Sequence, residues 1–197
     1  WLPNSLELRF NEAEERKVDV VHSECFIEKS SSSQRHPFGV RPLIGNIYKD
    51  LLFAPGPVFP SILVRKTALQ RIGYLDEEIV SYQEWDTCIR LSNFYDFGFV
   101  PRPTFIYHIH GNESISSNPL KSAKGYEQII TKHHDEIILQ LGKTGIAQHY
   151  DILGNIYSSI NGYTETARRF YLLACQNNPT IRYTYHYLKS FLTRKGI

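Results

Sequence analysis

The feature that most constrains this chain is a change of rhythm at Pro119. Before it, short apolar runs rich in β-branched residues alternate with segments of helical period. Beyond it, the apolar residues keep a helical period to Ile197. Alternating strand and helix calls for a sheet with helices laid on it, whereas unbroken helical period calls for helix packed on helix. The chain is therefore expected to be α/β over 1–118 and to carry a helical appendage over 119–197. Its 197 residues suit one domain of good size, or one domain with an appendage.

Local signals place the elements. Asn4 and Glu7 stand at capping-box spacing, and Leu6, Phe10 and Ala13 share one face of the helix that follows. Val18-Asp19-Val20-Val21-His22 reads as a strand. The tract 28–42, with its serine run, Pro37 and Gly39, reads as a loop or arm. A helix is expected over 43–53, stopped by Ala54-Pro55-Gly56-Pro57, and a second strand over 61–65. A compact helix over 67–73 has Thr67 as cap and Gly73 as terminator. Ser81 would cap a helix with Trp85, Cys88 and Ile89 on its buried side. Pro101 and Pro103 separate two further strands, 97–100 and 104–107.

Composition excludes several classes. A net charge of +2 and the lack of a basic stripe argue against nucleic-acid binding. Cys25, Cys88 and Cys175 are odd in number, with no CxxC pair, so neither a disulfide framework nor a cysteine zinc site is expected. A reducing compartment follows, the cytoplasm or the periphery of its membrane. No apolar run approaches the roughly eighteen residues of a membrane span, and no signal-peptide pattern is present. The 13 Tyr, 11 Phe and 2 Trp suit sugar-stacking surfaces, but residue by residue they suit packed helices better. The chain contains no methionine and opens on Trp1-Leu2-Pro3, which reads as a piece of a longer protein with something upstream.

Two polar clusters carry the chemistry. One is Ser81-Tyr82-Gln83-Glu84-Trp85-Asp86, running on to Arg90; the other is His108-Ile109-His110-Gly111-Asn112-Glu113-Ser114. A carboxylate abstracts a proton from a hydroxyl when its neighbours raise its basicity and fix its position. An imidazole after a strand suits a divalent cation. Glu84 also stands three residues after Ser81, the spacing of a capping box, and the helix dipole alone favours it there. The two roles are compatible. Asp86 and Arg90, at i and i+4, suit an ion pair. His108 and His110 share one side of a strand, but His-x-His is more often packing than a metal site. A zinc hydrolase built on His108, His110 and Glu84 lacks a third ligand at a familiar spacing. In the tail, Gly154, Ala167 and Ala174 would let two antiparallel helices approach, with Tyr150, Leu153, Tyr157 and Tyr171 between them and Pro179 after.

These pieces, in their order, resemble a known family. Trp1-Leu2-Pro3-Asn4-Ser5-Leu6-Glu7, Ile62-Leu63-Val64-Arg65-Lys66, Ile72-Gly73-Tyr74-Leu75-Asp76-Glu77, Gln83-Glu84-Trp85-Asp86 with Arg90, and Tyr107-His108-Ile109-His110-Gly111-Asn112-Glu113-Ser114 are similar to the C-terminal part of family 2 glycosyltransferases of the GT-A fold. The resemblance spans Trp1 to roughly Pro119. It implies a partial GT-A-type layer and an inverting transfer from a nucleotide-sugar donor to a glycan or lipid-linked acceptor, as in cell-surface polysaccharide synthesis. Glu84 matches the family's acidic residue that deprotonates the acceptor hydroxyl, with Asp86 the second catalytic candidate. The commoner pattern there is Glu-Asp-Trp-Asp. Trp85 would floor the acceptor sugar, Arg90 would sit on the acceptor side, and His110 matches a histidine that completes the metal site in some relatives. The implied cofactor is a divalent cation, Mg or Mn, whose main carboxylate ligands would lie upstream of residue 1. The piece in hand is accordingly expected not to transfer sugar alone.

The tail resembles a tetratricopeptide repeat, with a turn over 158–166 one residue longer than that pattern. One repeat cannot bury its own face. The alternative function is therefore an interaction scaffold that binds a protein partner without catalysis.

Overall fold

The computed structural model describes residues 1–29, 34–109 and 118–192. The chain divides into two compact units: Trp1–Glu78 with Tyr82–Ser117, and Ile79–Ser81 with Asn118–Ile197. The first is α/β and the second is helical. The three residues Ile79–Ser81 belong with the helical unit, whereas the sequence pattern puts them in the first.

The first unit runs α1 (Ser5–Arg16), β1 (Val20–Lys29), β2 (Arg35–Pro37), α2 (Tyr48–Phe53), a 3-10 turn (Phe59–Ser61), β3 (Leu63–Val64), α3 (Lys66–Arg71), α4 (Gln83–Ser92) and β4 (Phe97–Ile109). Among the described residues the four strands make one mixed sheet centred on β1. β4 lies parallel to β1 along one edge, from Val20 opposite Phe97 to Lys29 opposite Ile109. The other edge is shared. β3 pairs antiparallel with Val20 and Val21, and β2 with Phe26 to Glu28. The core holds Val20, Val21, Ile47, Leu51, Leu52, Ile89 and Phe97, all buried.

Several elements differ from the sequence pattern, each for a local reason. β1 continues past His22 through Ser23-Glu24-Cys25 to Lys29. Its polar residues are satisfied in place: Ser23 and Thr104 hydroxyls meet at 2.7 Å, and the Glu24 carboxylate accepts from the N–H groups of Cys25 and Val40. Part of the expected loop is therefore strand. β4 is one strand rather than two. A register shift between Ser23/Val100 and Glu24/Pro103 lets the chain carry Pro101 and Pro103 on a strand whose ladder is with β1. The helix expected over 43–53 starts only at Tyr48, because Gly45 takes a positive φ of 75° and exchanges two backbone hydrogen bonds with Phe97.

Helix α1 forms without the expected capping box. Asn4 has a left-handed backbone, φ 63°, and makes no side-chain cap bond, since cap geometry needs extended backbone. The face that Leu6 and Phe10 share is turned outward. Leu6 and Phe10 are exposed while Ser5 and Arg9 are buried, the Arg9 guanidinium donating to Ser5 O, Ser5 Oγ and Pro60 O. At α3 the cap position is Arg65 rather than Thr67.

The second unit is α5 (Pro119–Lys132), α6 (His134–Ser158), α7 (Thr164–Asn177) and α8 (Ile181–Leu192). Asn118 caps α5 through Lys121 N–H, with Pro119 in the first turn. Val80 N–H donates to Gln128 Oε1 of α5, and a Cβ at Gly125 would stand 2.6 Å from Ser81 O, so glycine permits this contact. Gly142, at φ 69°, kinks α6. Between α6 and α7 the residues of the repeat-like pattern meet. Gly154 faces the Tyr171 ring, Tyr157 and Phe170 stack at 5.6 Å, and Ala147, Ala174 and Tyr183 form a small core. Asp151 is buried, accepting from Arg182 at 2.8 Å and pairing with His186 at 2.5 Å, which ties α8 to α6. No helix among the described residues is long and apolar enough to cross a membrane.

Candidate active site

Helix α4 presents the first polar cluster. It begins at Gln83, with Tyr82 at the cap position in a left-handed backbone, φ 64°, and with no side-chain cap bond. The capping box expected from Ser81 and Glu84 does not form, because the helix starts one residue later than that box requires. Glu84 is left free of that structural duty.

The four side chains meet different fates. Trp85 is 1 % exposed and its Nε1 donates to Leu51 O at 2.6 Å, holding α4 to α2. An indole enclosed on both faces has none to offer a sugar, so the expected acceptor floor is corrected to a core anchor. Asp86 is 0 % exposed, and its Oδ2 accepts from Arg90 Nε at 2.7 Å. The i, i+4 pair read from the sequence is thus present. Arg90 goes further: its Nη1 donates to Ile72 O at 2.6 Å and to Tyr74 O at 2.7 Å. These carbonyls flank Gly73 (φ 73°), and Tyr74 itself is left-handed, φ 65°. The guanidinium therefore pins a tight turn and holds it to Asp86 of α4.

Glu84 differs from both neighbours. It is half-buried and makes no ion pair among the described residues. Burial pushes its pKa up from the usual glutamate value, opposed by a hydrogen bond from its own backbone N–H. A carboxylate so placed is a stronger proton acceptor than one in water.

The second cluster is split. His110 lies outside the described residues, as do Gly111 to Ser114. His108 stands near the carboxyl end of β4, its Nδ1 3.2 Å from Glu28 Oε1 of β1, while Arg35 Nε donates to Glu28 Oε2 at 2.7 Å. Arg35 first, then His108, hold the Glu28 carboxyl below its usual range. Sequence reading did not single out Glu28 or Arg35, which become neighbours only through the β1–β2 pairing. Ligands of open α/β sheets gather at the carboxyl ends of parallel strands, the end where these three residues stand. Another residue missed from the sequence is His22. It is fully buried, its Nε2 bonded to Leu43 O at 2.9 Å and its Nδ1 without a partner. Burial lowers its pKa, opposed by the bond to Leu43.

Among the described residues no group of three or more His, Cys, Asp or Glu side chains stands close enough to hold a metal ion. No protein-family model and no curated protein matches the chain.

Proposed function

We propose that this chain supplies the general base and the acceptor side of an inverting glycosyltransferase, with a partial GT-A-type layer in its first unit. The observation that supports this best is Glu84, a half-buried carboxylate of raised pKa, without an ion-pair partner, on a helix fixed by two anchors. In this reading the Glu84 carboxylate takes the proton of an acceptor hydroxyl as its oxygen attacks the anomeric carbon of a nucleotide sugar. The bond to the diphosphate breaks on the opposite side, and the configuration inverts. Trp85 and the Asp86–Arg90 pair hold the base in place. A divalent cation, Mg or Mn, belongs to this reading, and the described side chains offer it no site of their own. The acceptor is a glycan or a lipid-linked sugar.

Glu84→Gln in the full-length protein tests the proposal, since the amide keeps the shape and loses the base. Turnover of UDP- or GDP-sugars should fall 10²–10⁴-fold, about 3–5 kcal/mol in barrier height, with donor affinity nearly unchanged and the melting temperature kept or raised. A folded variant with near-normal turnover would remove Glu84 from the role. The packing of Gly154 on Tyr171 favours a second reading, an interaction scaffold with no catalysis. That reading expects no sugar turnover from any length of this chain.

A further inference from the structure

Helix α8 presents two unlike sides. On the inner one Tyr183 and Ser190 are buried, and His186 and Arg182 reach Asp151 of α6. On the outer one Ile181, Tyr185, Leu188 and Leu192 fall at i, i+4, i+7 and i+11, so they form a single stripe, with Phe191 beside it. Ile181 is 92 % exposed, Leu188 58 % and Leu192 82 %. This stripe is not what holds the helix to its unit.

The charge beside the stripe is mainly positive, Glu165 pairing with Arg168 and the buried Asp151 with Arg182. From Thr166 to the last residue the sequence contains Arg168, Arg169, Arg182, Lys189, Arg194 and Lys195, and no aspartate or glutamate. At 100° per residue, Arg182 and Lys189 share a flank about 80° from the middle of the stripe. The Lys189 ammonium lies 5.5 Å over the Tyr185 ring, and the Arg168 guanidinium of α7 lies 4.6 Å over the Phe191 ring. Long basic side chains so placed can lay their stems along an apolar face and hold their charges at its border. A second copy of this chain would bring like charge against like charge across the same face. A bilayer carrying anionic headgroups brings the opposite charge and an apolar bed beneath it.

We infer that α8 is an interfacial helix that docks on the surface of an anionic lipid bilayer. Its stripe enters the acyl boundary and Lys189 meets the headgroup phosphates, while Arg182 stays on Asp151. Twelve residues span about 18 Å, too short to cross a bilayer but suited to lying in its plane. The inference stands on α8 alone and is independent of the role proposed for Glu84.

Vesicle flotation of the full chain tests it, using phosphatidylcholine with and without phosphatidylglycerol. Binding is expected only to the anionic vesicles and should weaken as salt rises. Leu188→Ser/Leu192→Ser, at exposed positions, should lower the partition coefficient about tenfold or more with circular dichroism and melting temperature kept. Lys189→Glu should lower it by about tenfold. If the double variant fails to fold, Lys189→Glu alone decides. The inference is overturned if anionic vesicles do not bind the chain, or if the folded variants bind as well as the parent. It is overturned equally if the stripe instead mediates a dimer, seen in sedimentation velocity as self-association that the double variant abolishes.

Discussion

Replacing Asp86 by alanine would leave the Arg90 guanidinium without its counter-charge in a poorly solvated place. The Asp86 carboxylate is fully buried, the Arg90 side chain is 19 % exposed, and Arg90 Nη2 already lacks a partner. Removing one member of a buried ion pair costs about 3–5 kcal/mol, most of it the penalty of the charge left behind. Arg90 keeps the carbonyls of Ile72 and Tyr74 and some contact with water, which puts the loss at the lower end, about 3 kcal/mol. In a protein of this size that lowers the melting temperature by roughly 6–12 °C. Urea unfolding followed by tryptophan fluorescence measures it directly, since Trp1 and Trp85 both lie in the first unit. Arg90→Ala and the double variant complete the cycle, and the double loss should be well short of the sum. A loss below about 1 kcal/mol for Asp86→Ala, or strict additivity, would refute the positioning role argued here. Asp86 would then return as a catalytic candidate if turnover still fell.

Three further outcomes are expected. Gly154→Ala would put a Cβ 2.5 Å from the Tyr171 ring, whose hydroxyl is tied to Asn155 Oδ1, so the helical unit should lose about 1–3 kcal/mol; an unchanged melting curve would mean that the α6–α7 contact has slack. Burial raises the Glu84 pKa, so its contribution to stability is full below 4.5, its ordinary value, and is lost as pH rises through the higher folded value; relative to Glu84→Gln, the parent should lose stability across that window, and a parallel pair of pH profiles would contradict the assigned burial. Burial pushes Cys25 up to about 11 and Cys88 higher still, so a thiol reagent at mildly alkaline pH should label both slowly in the native chain and quickly in urea; rapid native labelling of either would overturn their placement in the core.

The α/β half and the helical half were legible because periodicity reports which faces are buried, and it does so without knowing partners. Where burial involved polar groups the pattern misled. Ser23 and Glu24 give no strand signal of their own: what holds them in β1 is Thr104 for Ser23 and the Val40 N–H for Glu24, partners far away in the chain. On α1 the apolar residues Leu6 and Phe10 share a face, yet that face is exposed and a buried Arg9, satisfied by Ser5 and Pro60, is turned inward instead. Capping signals failed at Asn4 and Ser81 for a related reason. The side chains were right for a cap, but the backbone at the helix start was left-handed, at Asn4 and at Tyr82, and composition does not encode that angle.

The same distinction bears on the candidate base. Around α4 the buried polar groups have structural answers: Asp86 has Arg90, Arg90 has two carbonyls, and the Trp85 N–H has Leu51. A half-buried carboxylate with no ion pair and no capping role opposes folding, which is what its raised pKa records. Leucine or glutamine at position 84 would relieve that cost without disturbing either anchor of the helix. A carboxylate that burdens the fold in this way is what the proposed role as a base would lead one to expect. Asp86 differs, because its burial is already answered by Arg90. Within the proposed reading, Glu84 and Asp86 are two carboxylates two residues apart, and it is the ion pair of Asp86 with Arg90, rather than their spacing, that sets them apart.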